Sequence, residues 1–103
     1  MFGIQTRFGY FSNCTLKPGS YANDHVAIQI MCEEGPFGTL TVNIDGIENY
    51  PKNCSCVDTN NLPEAEEIIK HLKLGQKVGS LPSGWCVYPV YQFDIETVER
   101  NQK

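Results

Sequence analysis

Residues 57–75, VDTNNLPEAEEIIKHLKLG, constrain the fold most, because both ends of a helix are written into them. Asn61 suits the N-cap, where a side-chain oxygen accepts from a first-turn amide. Glu64 then falls at N3 and completes an Asn version of the capping box. Pro63 sits where a missing N–H costs little. Glu64, Glu66 and Glu67 lie near the positive end of the helix dipole, and Lys70, His71 and Lys73 near the negative end. Gly75 follows as a C′ residue. The spacing predicts a helix over 61–74 with one apolar stripe, Ala65, Ile68, Ile69 and Leu72. A stripe this narrow is not stable alone in water, so it must dock on another element.

The remaining segments are read as the sheet on which the helix docks. Residues 2–11 alternate, with Phe2, Ile4, Phe8 and Tyr10 on one face and Gln5, Arg7 and Gly9 on the other, which predicts a half-buried strand. Residues 12–23 carry Pro18-Gly19 and read as a loop. Residues 25–32 predict a strand with Val26, Ile28 and Ile30 on one face. Residues 37–45 predict another, with Leu40, Val42 and Ile44 inward. The Glu33–Pro36 turn makes these two an antiparallel hairpin. Residues 46–60 are irregular, with a short edge strand at Cys54–Asp58. Residues 76–85 read as a loop, and 86–94 as a strand that Pro89 places at an edge or a bulge. Residues 95–103 predict a short helical turn with a fraying end. The expected fold is α+β: one small, mainly antiparallel sheet of four to five strands, with the helix on one face, in the order β-β-β-(β)-α-β.

At 103 residues the chain is expected to be one domain, 1–103, with one modest core. No apolar run approaches the ~20 residues that span a membrane. The first residues have neither a basic region nor a continuous apolar stretch, so they do not read as a signal peptide. The expected location is the cytoplasm, where five cysteines, an odd number, are expected to stay reduced.

The net charge of −4 is uneven: +2 over 1–23, −8 over 24–67 and +2 over 68–103. Phosphate binding needs clustered Lys and Arg, and no such run exists, so direct nucleic-acid binding is disfavoured. The acidic middle suits a basic protein surface, although a solvated acidic face is the simpler reading.

No catalytic pattern is legible. Cys54 and Cys56, with His25 or His71, are the only tempting metal ligands, but Cys-x-Cys without a second close pair is a weak zinc pattern. The redox motif Cys-x-x-Cys is absent. Nothing near Cys14 or Cys86 marks an activated nucleophile. The adjacent acids Glu33-Glu34 and Glu66-Glu67 do not form an acid/base dyad, since neighbouring helix residues face apart. No glycine-rich phosphate loop exists. No metal or cofactor is therefore expected. Among the aromatics Tyr50, Trp85, Tyr88, Tyr91 and Phe93, core packing is the ordinary role, but the Ser83-Gly84-Trp85 turn can present Trp85 as an interface anchor.

The stretches YANDHVAIQI, GTLTVNI, CVDTNNLPEAEEII and LPSGWCVYPVYQFDI together resemble an uncharacterised domain family of small proteins encoded on phages, plasmids and integrative elements, mostly of gut-associated bacteria. The resemblance covers roughly residues 21–95. The Cys54/Cys56 pair is not part of the family pattern. The resemblance implies a mobile-element setting and no activity.

The expected function is that of a non-catalytic accessory protein of a phage or mobile element, acting by protein binding. In its sharper form it is an anti-CRISPR-like inhibitor of bacterial defence, with acidic residues occupying a nucleic-acid-binding surface. The candidate partner-binding residues are Glu33, Glu34, Glu64, Glu67, Trp85 and Tyr88. Two other readings stand beside it: a small-molecule or nucleotide-signal binder with Trp85 and Tyr88 lining a pocket between helix and sheet, and a structural subunit of conjugation or replication machinery. The oligomeric state is left open.

Overall fold

The computed structural model describes residues 1–6 and 9–102. It is mainly β, with two antiparallel four-stranded sheets where the sequence predicts one. The first sheet has the order β1-β2-β3-β4, from Phe2–Thr6, Gly9–Ser20, Val26–Cys32 and Gly35–Thr39. The second has the order β5-β6-β8-β7, from Thr41–Val42, Cys54–Val57, Cys86–Phe93 and Gly75–Ser83. Helix α1 (Ala65–Leu72), a short α2 (Ile95–Arg100) and a 3-10 turn at Ile47–Asn49 accompany the sheets.

The sheets share a corner at Leu40. Its N–H donates to Ile28 O on β3 (2.8 Å), and its own C=O accepts from Asp58 N (3.0 Å), just past β6. The stretch expected as one strand, 37–45, thus leaves one sheet and joins the other at a fully buried leucine. Thr41 secures the turn: its Oγ1 accepts from Ile28 N (3.0 Å) and shares a 2.8 Å hydrogen bond with Tyr21 Oη. Ser55 Oγ donates to Val26 O, tying β6 to β3.

Two strands were hidden in stretches that read as loops. Residues 12–20 continue β2, with Cys14 and Leu16 turned inward. Pro18 is tolerated because Leu16 N–H, two residues earlier and of the same parity, points away from β3 to Asn101 O (2.7 Å). Pro18 therefore lacks a donor only on the side away from β3. The same bond holds Asn101 in place, where fraying was expected. Strand β7 was missed because as an edge strand it buries little, and Gly79 interrupts it. A Cβ on Gly79 would lie 2.2 Å from Tyr50 Oη. Pro89 lies in β8, an inner strand rather than an edge, but the β6–β8 ladder stops at Cys56–Val90, so no bond is lost. The bulge expected nearby falls on the facing strand, between Lys77 and Gly79.

The sequence-predicted strand over 2–11 is a hairpin of β1 and β2, and Tyr10 is exposed instead of inward. Arg7 and Phe8 lie outside the described residues. The inward faces predicted for Val26, Ile28 and Ile30 hold, as does the helix stripe: Ala65, Ile68 and Ile69 are buried and Leu72 partly so. Burying each large side chain stabilises the docking by about 1.5–3 kcal/mol.

The helix ends differ from expectation. α1 starts at Ala65, Glu64 holds the N-cap position without a side-chain cap bond, and Asn61 does not cap it. Instead Asp58 accepts from Asn61 N (3.2 Å) and Asn61 Nδ2 (3.0 Å), which closes the turn before the helix. At the C-terminus Lys73, not Gly75, takes the left-handed conformation (φ 56°, ψ 45°), and Leu74 N bonds Ile69 O. Gly75 is small for another reason: a Cβ there would lie 2.2 Å from Gln92 O on β8.

The second sheet is covered on both faces. One face meets β3, Leu40, α1 and α2 in the main core around Ile28, Leu40, Val57 and Phe93. The other is roofed by residues 43–53 in a smaller core of Ile44, Ile47, Cys54, Cys56, Tyr88 and Val90. β6, expected at an edge, is an inner strand, and its Cys-Ser-Cys-Val is wholly buried. Cys14 and Cys32 face each other across β2 and β3 and form a disulfide, contrary to the expectation of five reduced thiols. The two cysteines lie just beyond the Thr15–Met31 pair that ends the β2–β3 ladder, and this approach, with Cα atoms 3.9 Å apart, overrides the composition argument.

Thiol titration of the unfolded, unreduced chain is expected to count three free thiols, Cys54, Cys56 and Cys86; a count of five would contradict the pairing. Gly75→Ala is expected to destabilise the fold by about 1–3 kcal/mol in urea unfolding, since the added carbon meets a backbone oxygen.

Candidate functional site

Two surface features stand out: the tip of the β7–β8 hairpin, and a groove between β1 and α1. The hairpin is set by pairing from Gly75–Phe93 to Ser83–Cys86, so only Gly84 and Trp85 form the connection. Gly84 supplies the positive φ (60°) that such a two-residue connection needs. Trp85, the chain's only tryptophan, is 104% exposed. Val87 follows at 63%, opposite the exposed Pro82. Tyr88, the next residue along the strand, points the other way. It is 9% exposed and packs in the smaller core with Val90. Trp85 and Tyr88 therefore share a hairpin but not a surface, and neither lines the groove between helix and sheet where a small-molecule site was expected.

That groove has a volume of about 330 Å³ and is lined by Phe2, Ile4, Ile68 and Leu72, with Glu64, Glu67 and His71 among them. Glu64 and Glu67 are the only predicted site residues that meet in it. Glu64 Oε2 is buried and has no hydrogen-bond partner among the described residues. The sequence carried a signal for the groove in the apolar alternation of Phe2 and Ile4, but nothing in it set that strand beside the helix.

The other acids are used differently. Glu33 is exposed but engaged: Asn13 Nδ2 donates to its Oε2 at 2.8 Å and Ser12 Oγ at 3.3 Å. It braces the bulge in β2, where Asn13 has φ 51°. Glu34 is exposed in the β3–β4 turn. Glu66 accepts a 2.5 Å hydrogen bond from Tyr91 Oη, which pins α1 to β8. Burial, and then the Glu66 carboxylate, push the Tyr91 hydroxyl up to about 12.

The tempting metal residues do not converge. His25 is fully buried, and its Nδ1 donates to the Cys54 carbonyl at 2.8 Å, not to a thiol. Burial pushes the Cys54 thiol up and that of Cys56 to about 11, so both stay protonated and unreactive at neutral pH. They are small residues filling an inner strand. Cys14 is held in its disulfide and is no nucleophile. Among the described residues no group of three or more His, Cys, Asp or Glu is placed to hold a metal, and no helix is long and apolar enough to cross a membrane.

Residues 15–103 match the family described as "Domain of unknown function (DUF4313)", and the chain belongs to it. No curated protein and no solved structure matches the chain.

The Tyr91–Glu66 contact has a readable pH signature. Its folded pKa is raised above 10.0, so this stabilisation is full below pH 10 and is lost as pH rises through about 12. In a phenolate absorbance titration Tyr91 is expected to ionise last, and Glu66→Gln to bring it part of the way down, since burial, the larger cause, remains. An unchanged titration in that variant would show that the contact is not made in solution.

Proposed function

We propose that this DUF4313 protein is a non-catalytic protein-binding module that uses the tip of its β7–β8 hairpin as the anchor. The observation that carries the reading is the wholly exposed Trp85 beside the exposed Val87. A large apolar side chain left in water forgoes about 1.5–3 kcal/mol that burial would supply. Trp is also the residue type most enriched among interface anchors. A two-residue turn on a paired hairpin fixes the backbone beneath it, so only the side chain is left to order on binding.

The resemblance to mobile-element proteins makes a host defence protein or a mobile-element protein the partner class to test first. An inhibitor of bacterial defence, anti-CRISPR-like, is the sharper form. Exposed acids at Glu34 and Glu67 suit a basic partner surface. Glu33, already bonded by Ser12 and Asn13, is better placed to brace the fold.

The test is capture from the native host with identification by mass spectrometry, followed by affinity measurement with the purified partner. Trp85→Ala is expected to weaken binding by about 2 kcal/mol or more while leaving thermal stability unchanged. A partner that binds Trp85→Ala and Val87→Ser as tightly as the parent would sink the hairpin as the anchor.

A further inference from the structure

We propose that the free edge of β1 takes up an extended segment of a protein partner as an added strand, with a Lys or Arg of that segment meeting Glu64 and Glu67. This rests on the protein-binding reading but uses a different surface. β1 lies at the end of its sheet. The register pairs Thr6 with Gly9 and Ile4 with Phe11. Only two residues separate Thr6 from Gly9, so these two pairs exchange hydrogen bonds with β2 and Gln5–Tyr10 is a non-bonded pair. The amide and carbonyl of Gln5, and of Gly3 beyond, therefore point away from β2. The Gln5 side chain is folded back onto Thr6 O (2.9 Å) and Gly9 O (3.3 Å).

The groove runs along this edge, with Phe2 and Ile4 on one side and Ile68 and Leu72 on the other. An edge with outward amides beside an apolar groove suits an extended chain: the backbone supplies affinity and alternate side chains enter the groove. A helix would leave the edge amides unmet. The charge of the occupant follows from the acids. Glu64 Oε2 is buried without a hydrogen-bond partner among the described residues, and such groups in native proteins ordinarily find one. A Lys or Arg makes the strong, charge-assisted bond to it. A phosphate-bearing ligand would instead be repelled by both carboxylates.

The test uses labelled short peptides of alternating lysine and valine, and of glutamate and valine, against the full chain. The lysine peptide is expected to bind saturably, to weaken as salt rises, and to slow hydrogen exchange at the Gly3 and Gln5 amides of the wild-type chain. Glu64→Gln with Glu67→Gln is expected to weaken it about tenfold. Gln5→Pro, which removes an outward donor, is expected to weaken it similarly. No saturable binding, equal binding of the glutamate peptide, or protection confined to the β7–β8 hairpin would overturn the proposal. The exchange measurement needs no variant to fold. Trp85→Ala is expected to leave peptide affinity unchanged, so the two surfaces fail separately: Trp85-dependent capture with no peptide binding overturns only the groove.

Discussion

Leu40 joins the two sheets through its own peptide groups. Its N–H belongs to the ladder on β3 and its C=O to the amide just past β6. A backbone that serves two sheets cannot slide in either without losing a hydrogen bond in the other, and a buried unpaired group costs about 1–3 kcal/mol. The Thr41 hydroxyl and the Ser55–Val26 bond close the polar groups around that corner. The main core forms because this corner brings the inner faces of β3 and β6 within reach of each other.

Once that corner is set, the surface features follow. The second sheet is occupied on both faces, by the main core and by the roof of residues 43–53. Its edge hairpin β7–β8 continues to a tip where Trp85 is exposed. On the other side α1 must dock with Ile68 and Ile69 buried. That leaves Leu72 and Glu64 beside β1 and opens the groove. The surfaces proposed for binding are thus what remains when both cores have taken the apolar residues they can hold.

Sequence periodicity was reliable where one face is buried and the other wet. β3 and α1 meet that condition, and their inward residues were legible. It failed for segments buried on both faces or on neither. Cys54–Val57 was legible as a short strand but without alternation was misplaced at an edge, and Gly75–Ser83 is a mostly exposed edge strand interrupted by glycine. Capping residues misled for a related reason. Asp58, Asn60 and Asn61 are alike as local acceptors in the sequence, and it is Asp58, between the buried Val57 and Leu62, that accepts from Asn61. Of the candidate site residues, Trp85 was legible as a turn aromatic, but Tyr88 and Glu33 carry no local mark of being buried or bonded.

By itself the sequence determined one amphipathic helix, the strand over Val26–Cys32 and the turn that displays Trp85. These depend on neighbours within a few residues, where propensity and spacing act directly. The tertiary structure decided the number of sheets, the Cys14–Cys32 pairing, the inward turn of Tyr88 and the placement of Glu64 beside β1. Each of these is set by contacts between residues far apart in the chain, and no local pattern encodes which distant strand will lie alongside.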